Sequence, residues 1–83
     1  MKEYIKNRKE NIMDPKIIGE RLRKARGDRT IREVTKHCGI SYSALSMYET
    51  GQRIPKDSIK IKLANYYNTS VEALFFAQIG HES

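Results

Sequence analysis

The sequence is poor in the features that cross-link a protein or place it in a membrane. It contains one cysteine, two prolines and no tryptophan in 83 residues. A single cysteine excludes an internal disulfide framework and is typical of a reducing cytosol. No apolar run approaches the roughly 18 residues of a transmembrane helix, and charges occupy the region where a signal peptide needs apolar residues. We therefore expect one small cytoplasmic domain that does not enter a membrane.

Residue sets for catalysis or metal binding are also missing. His37 and His81 have no further ligands at metal spacing, and the sequence has no glycine-rich phosphate loop, nucleophile–base set or paired carboxylates. Cys38 falls on the inward face of a predicted helix, where a packed thiol is more common than a reactive one. A chain this short also offers little room for a substrate pocket. These absences predict a protein that is not an enzyme and uses no cofactor or metal.

Positive charge is the main compositional bias. Sixteen Lys and Arg residues oppose ten Asp and Glu residues, which gives a formal net charge of +6. Residues 1–29 hold ten of the basic and five of the acidic residues, against six and five in residues 30–83. Such an excess favours a polyanionic partner, and nucleic acid is the favoured one. The alternatives are that the charge serves binding to a membrane surface or only keeps the protein soluble.

Capping signals mark the first two predicted helices. Asp14-Pro15 is a strong helix start, and Gly27 ends that helix after Arg26. Thr30 begins the second helix, and Glu33 three residues later completes a capping box.

A three-residue turn, Gly39-Ile40-Ser41, joins the second helix to a third that ends at Thr50. Gly39 supplies the positive φ that ends one helix, and Ser41 caps the next. Ile40 is apolar in a turn, which makes sense if it fills a core. Two short helices joined in this way form a helix-turn-helix, which places one helix in a DNA major groove.

Two further helices are expected after a loop. Residues 59–63 alternate between apolar residues and lysine as a strand would, but the helical interpretation is favoured because Asp57 or Ser58 offers a cap and apolar residues continue at helical spacing. Asn68 can take the left-handed position at the end of this helix, and Ser70 can cap the last one. The predicted fold is all-α, a compact five-helix bundle without strands.

Four stretches of the sequence resemble a known family. They are IGERLRKAR, TIREVTKHCGIS, SALSMYETGQRIP and IKLANYYNTSVEALFF, which lie between Ile18 and Phe76. They are similar to the lambda-repressor-like helix-turn-helix domains of the Xre regulators. The resemblance implies a five-helix bundle that binds a palindromic operator as a two-fold dimer and acts as a repressor or an activator.

The resemblance also assigns roles to individual positions. It implies that Arg26 and Glu49 form a structural ion pair joining the first helix to the third. Ile31 stands where the family commonly has a phosphate-contacting Gln, so backbone N–H groups at this helix start are left to hold the phosphate. Thr35 replaces a common Ala, and we expect the close approach of the helices to survive this small increase in size.

The third helix is expected to bury Leu45 and Tyr48 and to expose its first turns. Serine hydroxyls there can bond base edges, while tyrosine and methionine can contact thymine methyl groups. The predicted base contacts are Tyr42, Ser43, Ser46 and Met47. Because this face lacks Arg, Lys, Gln and Asn, DNA shape and phosphate contacts should contribute more than direct readout. The alternative is that these four are ordinary surface residues.

Polar and basic residues around the third helix can follow a DNA backbone. The predicted phosphate contacts are Thr30, Arg32, Ser41, Tyr48, Thr50, Arg53 and Lys56. Arg53 and Lys56 flank Pro55 in the loop after the third helix, where a backbone would pass. For any one of these cations, the alternative is a solvated surface charge.

The two ends of the chain carry separate predictions. Phe75, Phe76 and Ile79 exceed what a short last helix can bury, which favours a dimer interface over local packing with a frayed tail. Residues 1–13 are interpreted as a basic arm that follows DNA, or else as an extension without a role in the fold, and residues 77–83 as a tail.

These observations place the DNA-binding domain at residues 14–76. The predicted function is a sequence-specific transcriptional regulator, expected to be a repressor, that binds double-stranded DNA as a homodimer through the major groove. The alternative is a protein-interaction module or antitoxin-type co-regulator that uses the same fold to bind a protein partner.

Overall fold

The computed structural model describes residues 14–76, and the predictions for the arm at 1–13, the tail at 77–83 and Ile79 lie outside these residues. Within the described part, the chain forms five helices and no strand. They are α1 (Pro15–Arg26), α2 (Ile31–Cys38), α3 (Tyr42–Glu49), α4 (Asp57–Tyr66) and α5 (Glu72–Phe76). The last is a single π-helical segment. The predicted all-α, five-helix fold is confirmed.

The first two helices begin and end where their capping residues predict. The Asp14 carboxylate accepts the N–H of Lys16 at 2.9 Å, with proline at the first helical position. The Thr30 hydroxyl accepts the N–H of Glu33, and the Glu33 carboxylate accepts the N–H of Thr30, both at 3.1 Å. These bonds satisfy backbone donors that have no partner inside the helix, so local side chains are sufficient to fix both starts.

The start of α4 differs from the prediction. Lys56 is its N-cap residue and makes no side-chain capping bond, so the assignment of the cap to Asp57 or Ser58 was wrong. The Lys56 carbonyl accepts the N–H groups of Ile59 and Lys60 at 3.0 and 2.9 Å, and the helix begins at Asp57, one or two residues before the predicted start. Asp57 instead lies in the first turn, where a negative charge is favourable near the helix N-terminus.

The core is formed by apolar side chains from all five helices. The most deeply buried of them are Ile18, Leu22, Val34, Leu45, Leu63 and Phe75. Cys38 is buried at their edge, and this burial raises the pKa of its thiol, as a packed cysteine requires.

One close approach between helices depends on Gly19, which the sequence did not single out. A Cβ atom at this position would lie 2.5 Å from the Glu49 carbonyl oxygen and 2.8 Å from that of Tyr48. Only glycine allows the backbone of α1 to come this near to the end of α3. This contact fixes the position of α3 on the domain.

Candidate nucleic-acid interface

The turn between α2 and α3 sets the direction in which α3 leaves the core. Gly39 has a φ of 66°, and the next N–H, from Ile40, donates to the Thr35 carbonyl at 3.1 Å. Ile40 is half-buried against the core, and the Ser41 hydroxyl accepts the N–H of Ala44 at 3.0 Å. The N-terminal turn of α3 therefore projects from the domain.

The two sides of α3 differ in exposure. Leu45 is fully buried and Tyr48 is 5% exposed, which holds one side in the core. On the other side Tyr42 is 56% exposed and Ser43 is exposed, while Ser46 and Met47 are half-buried. These four residues recur at helical i, i+3 and i+4 spacing, so they share one face and can act on one surface.

Most of the predicted phosphate contacts lie at the surface around this face. The exposed members are Thr30, Arg32, Ser41, Thr50, Arg53 and Lys56. Tyr48 is an exception, and its assignment as a phosphate contact is corrected because its side chain packs in the core on the inward side of α3. The Thr50 hydroxyl donates to the Ser46 carbonyl and accepts from the Gln52 amide, both at 2.9 Å.

A recess of about 530 Å³ lies between the N-terminus of α2 and the start of α3. It is lined by Arg26, Thr30, Ile31, Arg32 and Tyr42. The first N–H groups of a helix lack intrahelical acceptors and carry partial positive charge, so this recess suits an anion. Ile31 is half-buried here and offers no side-chain hydrogen bond.

Arg26 and Glu49 are bonded to each other in the geometry that the resemblance implies. Arg26 Nε lies 2.8 Å from one carboxylate oxygen of Glu49, and Nη2 lies 2.9 Å from the other. The hydrogen bond to Glu49 raises the pKa of Arg26. Its Nη1 also donates to the Arg29 carbonyl at 3.0 Å. Through this bidentate pair, α1 holds the C-terminal end of the helix that presents Tyr42.

Thr35 occupies the tight space where the family has alanine. The residue is 7% exposed, and its hydroxyl donates to the Arg32 carbonyl at 3.1 Å. The hydroxyl is therefore satisfied within its own helix, and α2 and α3 remain packed together as expected.

The expected dimer residues do not share one environment. Phe75 is 1% exposed inside the domain, so its assignment to an exposed interface is corrected; α5 packs on α1, and Lys60 Nζ of α4 lies 5.7 Å from the Phe75 ring centroid. Phe76 is half-buried, with Lys60 Nζ 5.3 Å from its ring centroid. Ile61, which the sequence did not single out as a surface residue, is 52% exposed on α4.

A family model of helix-turn-helix domains matches residues 20–74, which is more than half of the chain. No curated protein matches the sequence, and neither does any solved structure. Within residues 14–76, no helix has the length and apolar content that crossing a membrane requires. The matched residues contain the complete turn, both of its helices and the Arg26–Glu49 pair. The chain belongs to the helix-turn-helix family of Xre and lambda-repressor-like DNA-binding regulators.

Proposed function

We propose that the protein is a transcriptional repressor that binds a palindromic operator as a homodimer, with α3 of each protomer in the major groove. The observation that carries this proposal is the difference in burial between the two sides of α3. One side is locked into the core through Leu45, while Tyr42 and Ser43 are exposed at its projecting first turn. A rigid helix with an exposed N-terminal turn is the element that reads base edges in this class of protein.

Base readout is assigned to Tyr42, Ser43, Ser46 and Met47. The serine hydroxyls donate to or accept from base edges, and the apolar parts of the other two contact thymine methyl groups. None of the four can make the bidentate contacts that Arg, Gln or Asn make. We therefore expect operators to be distinguished partly by the shape of the DNA between the half-sites.

Phosphate binding is assigned to the exposed residues around α3, which are Thr30, Arg32, Ser41, Thr50, Arg53 and Lys56. The net charge of +6 supports this assignment, since cations that neutralise phosphates release condensed counterions. Residues 1–13, with four basic and two acidic side chains, are proposed as an arm that adds salt-sensitive affinity. Dimer formation is assigned to Phe76 and Ile79.

The proposal is tested by selecting operators from random DNA and measuring affinity at several salt concentrations. If a dimer neutralises about six phosphates, affinity should fall about a thousandfold between about 50 and 200 mM salt. The selected sites should be palindromic, and a reporter downstream of such a site should be repressed. Salt-insensitive binding, or no binding at any salt, contradicts the proposal.

Three substitutions separate base contacts from phosphate contacts. Ser43→Ala and Met47→Ala should each change the preferred base at one position per half-site, at a cost of about 1–3 kcal/mol. Arg53→Ala should weaken binding to all sequences alike. Lys24→Ala, at an exposed position of α1, is the matched loss of charge and should have little effect. A change in base preference for Arg53→Ala alone would mean that α3 is not the recognition helix.

Deleting residues 1–12 tests the arm. We expect an unchanged melting temperature and a salt slope that is lower by about one or two units for each arm that engages DNA. An unchanged slope would leave these residues without a role in DNA binding, and a large loss of stability would mean that they pack on the domain.

A further inference from the structure

A groove runs between α2 and α4, outside the surface assigned to DNA. It consists of two adjoining recesses of about 670 and 500 Å³ that share Lys36, His37 and Tyr66. We call it the α2–α4 groove and define it by Arg29, Glu33, Lys36, His37, Lys62 and Tyr66. No residue of α3 lines it, and none of the assigned phosphate contacts does.

The α2–α4 groove is positively charged. Arg29, Lys36 and Lys62 are exposed along it, and Glu33 is the one carboxylate among the described residues that line it. Glu33 already accepts the N–H of Thr30 at 3.1 Å in the capping box, so its charge is directed to the helix start. The groove therefore offers several cations to an acidic ligand.

An aromatic side chain forms the floor of the groove. Tyr66 is half-buried, its ring centroid lies 5.0 Å from that of His37, and Arg29 Cζ lies 5.3 Å above it. Arg29 Nη1 also donates to the Ala25 carbonyl at 3.1 Å, which favours this position of the guanidinium. A ring held on two sides in this way provides a rigid apolar surface at low entropic cost, which is a common anchor point in protein interfaces.

We propose that the α2–α4 groove binds an acidic segment of a partner protein that carries an apolar side chain between its carboxylates. The carboxylates pair with Lys36 and Lys62, and the apolar side chain lies on Tyr66. The tyrosine ring beside the lysines favours a peptide over duplex DNA, because a peptide can present an apolar side chain next to its carboxylates, whereas the outer surface of a duplex presents phosphates and sugars. The groove leaves α3 free, so the partner and the operator can be bound at the same time.

The first test is an NMR titration of the ¹⁵N-labelled full chain with a short synthetic peptide of Asp-Asp-Leu repeats. We expect shifts at His37, Lys62 and Tyr66 and none at Ser43 or Arg53. Peptides of Asn-Asn-Leu and Asp-Asp-Ser repeats, which lack the charge or the apolar side chain, should bind more weakly. A complex with operator DNA should bind the first peptide equally well.

The second test reverses two charges in the groove and, as a matched control, two charges outside it. Lys36→Glu with Lys62→Glu should weaken the Asp-Asp-Leu peptide by about tenfold or more, which corresponds to about 1.4 kcal/mol. Lys16→Glu with Lys24→Glu makes the same change in net charge at exposed positions outside the groove and should leave affinity within about twofold. The melting temperatures of both variants show whether the fold is retained.

Several results would overturn the proposal. Equal weakening by the two double variants would mean that only net charge matters. Shifts centred on α3, or displacement of the peptide by duplex DNA without an operator, would assign the groove to nucleic acid. If inorganic phosphate caused the same shifts, the groove would be an anion site only. If adding unlabelled protein to the ¹⁵N-labelled protein caused them, the occupant would be a second copy of this chain. The titration of the free protein contains no DNA, so its failure leaves the repressor proposal intact, and a failure to bind an operator leaves the peptide proposal intact.

Discussion

The first three helices and α4 begin by different means. The ends of α1–α3 are fixed by side chains close in sequence, such as Thr30 with Glu33 and the left-handed Gly39. The start of α4 after Lys56 has no side-chain cap, whereas the Ser70 hydroxyl before α5 accepts the N–H of Ala73 at 3.0 Å, as the sequence predicted. At the start of α4, packing takes the place of a cap, since Leu63 of this helix is fully buried in the core. The helix-turn-helix therefore has capping and turn residues of its own, while the start of α4 depends on the core that this helix covers.

The largest loss of stability is expected from breaking the ion pair that joins α1 to α3. Glu49→Gln removes a carboxylate that is 4% exposed and leaves the Arg26 guanidinium without its charge partner. Breaking such a pair costs about 3–5 kcal/mol, and the lower end applies because Arg26 is 19% exposed. Chemical denaturation without DNA measures the loss. Glu20→Gln, at an exposed position of α1, is the control, and equal stability of the two variants would contradict the structural role of the pair.

A steric change at the same contact between α1 and α3 should lower the stability by a smaller amount. Gly19→Ala places a Cβ 2.5 Å from the Glu49 carbonyl oxygen, so α1 and α3 must move apart. Overpacking of this kind typically costs about 1–3 kcal/mol. Thermal melting measures it, and Glu20→Ala on the exposed side of α1 should be nearly neutral. If Gly19→Ala melted at the parent temperature, the helices would not be in close contact.

Truncating the N-cap side chains of α2 and α4 compares the starts of these two helices directly. Thr30→Ala should cost about 1 kcal/mol, because the Glu33 N–H loses its acceptor. Lys56→Ala occupies the equivalent position of α4 and should change the free energy of unfolding little, since no side-chain bond is present there. Denaturant titration of both variants measures the difference. Equal losses would show that α4 also depends on its N-cap side chain.

The smallest effect is expected at a buried lysine. Lys60 is 7% exposed, with Nζ near the rings of Phe75 and Phe76 and 3.6 Å from the exposed Asp57 carboxylate. Lys60→Met keeps the apolar stem and loses the cation–π contacts, so we expect a change within about 1 kcal/mol. Lys62→Met at an exposed position is the control for denaturant titration. A loss of several kcal/mol would mean that the ammonium group itself holds α5 against α4.

The sequence predicted the parts of the fold that depend on neighbouring residues. Asp14, Thr30 and Ser41 accept the backbone N–H groups expected of N-caps, and Asn68 has the positive φ of 60° expected after α4. The α4 cap was misassigned because Asp57 and Ser58 are both good capping residues and Lys56 is not. The helix starts instead with the Lys56 carbonyl, directly after the buried Pro55, and side-chain capping propensity does not indicate this position.

For the candidate site, the sequence predicted which residues share a helix face but not how deeply each of them is buried. The spacing of Tyr42, Ser43, Ser46 and Met47 places them on one face, but Ser46 and Met47 are half-buried because α3 sits close to its neighbours. Tyr48 and Phe75 were assigned partly to surfaces, yet both lie in the core. An aromatic residue at the border of a helical face fits either environment, and the depth of the neighbouring helices decides between them.

By itself the sequence determined both ends of α1 and α2 and the turn at Gly39, because capping residues, capping boxes and left-handed residues act within a few positions along the chain. The tertiary structure alone decided that Gly19 touches the α3 backbone, that Lys60 is buried beneath two phenylalanines, and that Arg29 and His37 come together on Tyr66. These contacts join residues far apart in sequence. Their geometry depends on how all five helices fill one core, which no local pattern specifies.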